Sequence, residues 1–91
     1  MPFGYPADKT ALMRADICEP ANDEAVEQFR CTLRRLGAEL SEKRWALGVD
    51  IYRLMIGSQE LTIFSDAWSI DIEGPESLVE RVLREFKQSG S

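Results

Sequence analysis

From Trp45 to Glu73 apolar and polar residues alternate, and an apolar stripe of helical spacing lies on each side of that block. A period of two sends successive side chains to opposite faces of a strand. Spacings of three and four gather them on one face of a helix. The combination leaves few folds open: strands in the middle of the chain, bracketed by two amphipathic helices that must lay their stripes on the sheet. A chain of 91 residues has room for one domain of two packed layers.

Within the block, Trp45, Leu47, Val49 and Ile51 alternate with Ala46, Gly48 and Asp50, and the run continues through Tyr52 to Ile56. Gly48 marks a bend in one long strand or the break between two. Gly57-Ser58-Gln59-Glu60 predicts a hairpin turn, Leu61 to Ser65 the returning strand, and Asp66-Ala67 a tight connection. Trp68, Ile70 and Ile72 then alternate with Ser69, Asp71 and Glu73. The first set is expected under the helices and the second in water. Ahead of the block, Met13, Ala15 and Ile17 alternate with Arg14 and Asp16, which predicts a short strand or a lead-in to the first helix. Leu40 to Arg44 is polar and shows no period.

The helices carry start and stop signals. Glu19 to Glu24 opens the first, with Pro20 early and Asn22 or Glu19 available as the cap. Val26, Phe29, Leu33 and Leu36 form its stripe, and Gly37 ends it. Its acids come early and its bases, Arg30, Arg34 and Arg35, come late, which suits the helix dipole. Gly74-Pro75-Glu76 begins the second helix, Ser77 and Glu80 have capping-box spacing, and Leu78, Val79, Val82, Leu83 and Phe86 form the apolar face. The expected fold class is α+β: a small two-layer sandwich, order (β)αβββα, with an antiparallel meander of 3–5 strands and two helices on one face. Residues 1–10, broken by Pro2, Gly4 and Pro6, read as a flexible arm; 11–88 as the single domain; 89–91 as a frayed end.

Charge narrows the functional classes. The net charge is −5, and no base stands between Arg53 and Arg81, a stretch holding Glu60, Asp66, Asp71, Glu73, Glu76 and Glu80. Such a field repels nucleic acid and anionic membranes and attracts cationic partners. No apolar run is long enough to span a bilayer, and the first residues lack the pattern of a signal peptide. The expected location is therefore the cytoplasm. Two cysteines, Cys18 and Cys31, are too few for a secreted disulfide scaffold and are expected as reduced, packed thiols. The chain has no histidine, which removes the commonest general base and most zinc sites. No glycine-rich phosphate loop is present. Asp71 with Glu73 as a carboxylate pair would need a cleft that a domain this small seldom has. Asp66, Asp71, Glu73 and Glu76 as a hard-cation site do not match the spacing of a calcium loop, so a small carboxylate- or metal-dependent enzyme is the weaker alternative. No catalytic residue, metal or cofactor is assigned.

The remaining reading is a non-enzymatic binding module. Both alternating sets of the middle strands are partly apolar, and two helices cover only one sheet face, so some of Tyr52, Leu54, Ile56 and Phe64 are expected in the open as a contact patch. Asp66, Asp71, Glu73 and Glu76 are the candidate charged contacts, with Tyr52 and Phe64 the aromatic anchors. Trp68 and Trp45 are expected in the core. The partner would be a protein with a basic surface. Small acidic bacterial antidote and immunity proteins that cover cationic toxins match this chain in charge and size, though in no motif. A second copy of the chain, its sheet packed face to face on the first, is the alternative partner.

Overall fold

A computed structural model of the chain describes residues 12–89, with side chains as far as Gln88. The expected arm over residues 1–10 lies outside the described residues. The element order is β1 (Leu12–Cys18), α1 (Asp23–Arg35), β2 (Glu39–Ala46), β3 (Val49–Ile56), β4 (Gln59–Ser65), β5 (Ile70–Pro75) and α2 (Glu76–Ser89). The strands form one fully antiparallel sheet in the order β1-β5-β4-β3-β2. Four strands from β2 to β5 make a meander. β1 closes onto its far end beside β5, so β1 and β2 are the two sheet edges. The α+β class and the single helical layer are as the residue pattern predicts.

Paired residues in an antiparallel ladder point to the same face, so register sorts the sheet into two sides. Tyr52, Ile63, Ile72 and Ala15 form one cross-strand row, and Leu54 pairs Leu61 beside it. These side chains pack with Phe29 of α1 and with Leu78, Val79 and Val82 of α2 as a single core. Leu61, Ile72, Val79 and Val82 are fully enclosed. The other face carries Arg53, Thr62, Glu73 and Arg14 in one row and Ile51, Phe64, Asp71 and Asp16 in the next.

Two expectations are corrected here. Leu54 and Ile56 are buried under the helices, only 8% and 4% exposed. The set turned away from the helices is Ile51, Arg53 and Met55. Trp68 does not precede Ile70 in a strand; it stands in the β4–β5 turn, 82% exposed. The cause is Asp66, whose Oδ1 accepts from the backbone amides of Trp68 and Ser69, both at 2.8 Å. A short polar side chain that mimics a backbone turn competes with strand pairing. It bends the chain just where the alternation seemed to begin.

The signals of α1 fold as expected, whereas Ser77, expected as a cap of α2, lies within that helix. Asn22 is the N-cap of α1, its Oδ1 accepting from the Ala25 amide at 3.1 Å. Gly37 takes a left-handed conformation, φ 77°. There its amide donates to Arg34 O, and that of Ala38 donates to Leu33 O, the pairing that closes a helix C-terminus. Phe29 meets Phe86 edge to face at 6.0 Å, and Gln28 Nε2 donates to Phe86 O at 2.7 Å, so the two helices are tied to each other as well as to the sheet. Pro75, expected at the first turn of α2, instead ends β5 opposite Leu12, and the helix starts at Glu76.

Gly48 lies at the break between two strands, one of its two expected roles, but of β2 only Trp45 and Ala46 fall within the alternating block. β2 is the edge strand, and of its eight residues only Glu42 is even partly shielded from solvent. With neither face covered, no alternation is required of it. The Leu47-Gly48 pair makes its hairpin with β3, both residues at positive φ (53° and 82°). This is the left-handed geometry that two-residue hairpins favour, and glycine or asparagine adopts it at lowest cost. Truncation in the core separates the two kinds of apolar position. Ile72→Ala is expected to cost about 2–5 kcal/mol in urea unfolding, whereas Trp68→Ala stays within about 0.5 kcal/mol.

Candidate functional site

The helices pack on β1, β5 and β4 and leave the same face of β2 and β3 partly bare. A groove of about 350 Å³ runs there between α1 and the strands. Val26, Phe29, Arg30 and Leu33 of α1 form one wall; Leu40 of β2 and Tyr52 of β3 form the outer part of the other, which continues over β4 to Ile70 of β5. Beside it Lys43 places its ammonium 5.5 Å from the centre of the Tyr52 ring. Trp45 pairs with Asp50, which pairs with Ser65, a residue of the groove, so Trp45 stands on this same side.

The large exposed apolar residues among those described are Leu12, Leu40, Trp45, Leu47 and Trp68. Three of the five cluster at one end of the sheet: Trp45 and Leu47 in the β2–β3 hairpin, Trp68 in the β4–β5 turn. Leu47 is 96% exposed and sits at φ 53°. A side chain with a Cβ pays of order 1–2 kcal/mol for that backbone region, and here burial returns nothing. The hairpin thus places an exposed leucine at a left-handed position of the turn, beside an exposed tryptophan.

The opposite face is covered by its own arginines. Arg14 lies 4.4 Å over the Phe64 ring and donates to Asp71 Oδ2 at 3.2 Å. Arg53 bridges Glu42 at 3.3 Å and Glu60 at 3.7 Å, and Arg44 also meets Glu42 at 3.3 Å. Guanidinium groups on long apolar stems shield Phe64 and the neighbouring aliphatic residues while keeping their charge in water. Surface pairs of this kind add little stability; their effect is to make the face polar and locally mixed in sign.

The predicted contact residues therefore divide. Phe64, Asp71 and Glu73 share the arginine-covered face. Tyr52 is on the other side, in the groove wall. Asp66 caps the β4–β5 turn, and Glu76 begins α2. The groove and the hairpin tip were missed, because exposure of Trp45 depends on which strands the helices reach, which composition does not encode, and that of Trp68 on the turn held by Asp66. Cys18 and Cys31 are both free thiols, Cys18 half-buried and Cys31 exposed in place of its expected packing. Among the described residues no group of three or more His, Cys, Asp or Glu is placed to hold a metal ion, and no helix is long and apolar enough to cross a membrane.

Two carboxyl groups have shifted acidity. The backbone amides of Trp68 and then Ser69 hold Asp66 below the ordinary 3.8. Asp16 faces Asp71 across the β1–β5 ladder. A hydrogen bond between the two carboxyl groups, then loss of hydration, then the negative charges of Asp71 and Glu19 push Asp16 above 3.8. No family model, no curated protein and no solved structure matches this chain.

The two shifts predict opposite pH dependences. A carboxyl lowered on folding stabilises the protein above its unfolded value, and that gain is lost as pH falls from 3.8 through its folded value. A carboxyl raised on folding costs stability at neutral pH, and the cost fades as pH falls through its folded value towards 3.8. Urea unfolding of Asp66→Asn and Asp16→Asn across this range should show the first less stable than the parent at neutral pH and the second more stable. Both differences should shrink in acid. A third substitution, Leu47→Asn, should raise stability by about 0.5–1 kcal/mol by relieving the left-handed position.

Proposed function

We propose that this chain is a non-enzymatic protein-binding module whose contact surface is the helix-side rim of β2 and β3: the groove beneath Leu40 and Tyr52, with Trp45 and Leu47 at its end. The observation that carries the reading is Leu47, a strained and fully exposed aliphatic residue beside an exposed tryptophan at the tip of a hairpin. Such a tip is costly in isolation and becomes favourable once a partner removes it from water. The groove supplies the apolar concavity that an anchor side chain needs, and the adjacent strand edge supplies unpaired backbone groups for main-chain bonds.

A second reading places a basic protein on the opposite face, against Asp71, Glu73 and Asp16, in the manner of an antidote or immunity protein. It rests on the clustering of these acids and on the net charge of −5, which favours approach of a cationic body. Against it, Arg14, Arg44 and Arg53 share that face and offset much of its local field. Two double substitutions separate the readings in affinity capture from the native cell. Leu40→Lys with Trp45→Lys is expected to abolish capture of the specific partner, and Asp71→Lys with Glu73→Lys to leave it within about twofold. The reverse result would move the contact to the acidic face.

A further inference from the structure

We infer that the occupant of this rim is a second copy of the chain, joined antiparallel along β2 to β2 about a two-fold axis at Lys43. The inference rests on the binding-module reading and names its partner. β2 is a sheet edge with nothing paired on its outer side among the described residues, and an eight-residue edge is a template for another strand. Its charges are two acids, Glu39 and Glu42, and two bases, Lys43 and Arg44. The strand itself is thus neutral although the molecule is not, and repulsion between whole chains is screened beyond about 8 Å at physiological salt.

The face pattern fixes the register. In β2, Glu39 pairs Met55, Leu40 pairs Leu54, Glu42 pairs Arg53, Lys43 pairs Tyr52, Arg44 pairs Ile51 and Trp45 pairs Asp50, with an irregularity between Leu40 and Glu42. Because Ser41 is the extra residue, Leu40 and Trp45 share the helix side although they are an odd number of positions apart. Glu42 and Arg44 share the other side. A two-fold axis through Lys43 sets Arg44 opposite the second copy's Glu42, twice, on the polar face. It also sets Trp45 against the second copy's Leu40, twice, on the groove side. Ala46 then meets Glu39 on the polar face. Opposed pairs need matching faces, so an axis must pass through a residue. An axis through Arg44 stacks two guanidinium groups and gives no opposite-charge pair; one through Glu42 opposes two carboxylates. The chosen register opposes two lysines, but each ammonium is already drawn over the Tyr52 ring of its own chain, and a flexible stem lets both remain in water. The irregularity at Ser41, which usually protects an edge, here aligns the apolar residues.

The test is sedimentation of the full chain from micromolar to millimolar concentration, combined with disulfide trapping. The parent chain should show a concentration-dependent dimer, and Trp45→Ala should weaken it by about tenfold or more with unchanged far-ultraviolet circular dichroism. Residues opposed across an antiparallel ladder lie about 4.5–5.5 Å apart at Cα, within disulfide reach. Lys43→Cys, in a chain with Cys18→Ala and Cys31→Ala, should therefore cross-link to a covalent dimer on mild oxidation, and Glu80→Cys on α2 should not. A monomer at every concentration overturns the inference, as does a dimer that tolerates Leu40→Lys with Trp45→Lys and leaves Lys43→Cys uncross-linked. If the chain is monomeric and capture from the cell still requires Leu40 and Trp45, self-association alone falls and an extended segment of another protein takes the rim. If neither dimer nor capture depends on those residues, the binding-module reading falls with it.

Discussion

The seating of α2 on β5 and β4 holds the molecule together. Leu78, Val79 and Val82 meet Leu61 of β4 and Ile72 of β5, and all five are almost wholly withdrawn from water. A chain of this size buries little surface in total, so a few such side chains carry much of the apolar burial. Gly74 belongs to the same contact. A Cβ there would stand 3.0 Å from the Glu60 carbonyl oxygen and 3.3 Å from Leu61 Cδ1, so only a bare backbone lets β5 lie this close as it turns into α2. Everything farther from this seat is progressively less covered: α1 leans on α2 through Phe29 and Phe86, β3 is half sheltered, and β2 is shielded on neither face.

That gradient explains what was legible in the residues and what was not. Elements touching the seat have strong periodicity, because each must present one apolar side: the stripe from Leu78 to Phe86, Ile70 with Ile72, and Val26 with Phe29 and Leu33. Local chemistry was legible too, as at Asn22, Gly37 and Gly57, because a cap or a left-handed glycine is decided by a few neighbouring atoms. Up to Arg44, β2 had no period to read. For β3 the alternation was plain, but its phase was not: Tyr52, Leu54 and Ile56 make as good an apolar set as Val49, Ile51 and Met55. Charge did not settle it either, because each set holds one charged residue, Arg53 in the second and Asp50 in the first.

The candidate site shows the same division. Tyr52, one of the expected contact residues, stands in the groove wall because its strand lies at the limit of helix cover. Trp68 reads as core from its alternation with Ile70 and Ile72, and Trp45 from its place in the alternating run up to Ile51. Trp68 is diverted by the Asp66 turn, and Trp45 belongs to an edge strand that the helices do not reach. The acids from Asp66 to Glu76 are contiguous in sequence but serve different ends in space: one caps a turn, one holds an arginine over a phenylalanine ring, and one opens a helix.

The arginine cover of the far face has a further consequence. Phe64 and its aliphatic neighbours lie under guanidinium groups that stay hydrated, while the hairpin and the β2 rim leave tryptophan and leucine bare. The molecule is thus a small Janus particle. Brought to any apolar boundary, whether a hydrophobic resin, an oil interface or the flank of another protein, it would settle one way up, hairpin foremost, with its arginines turned to the water.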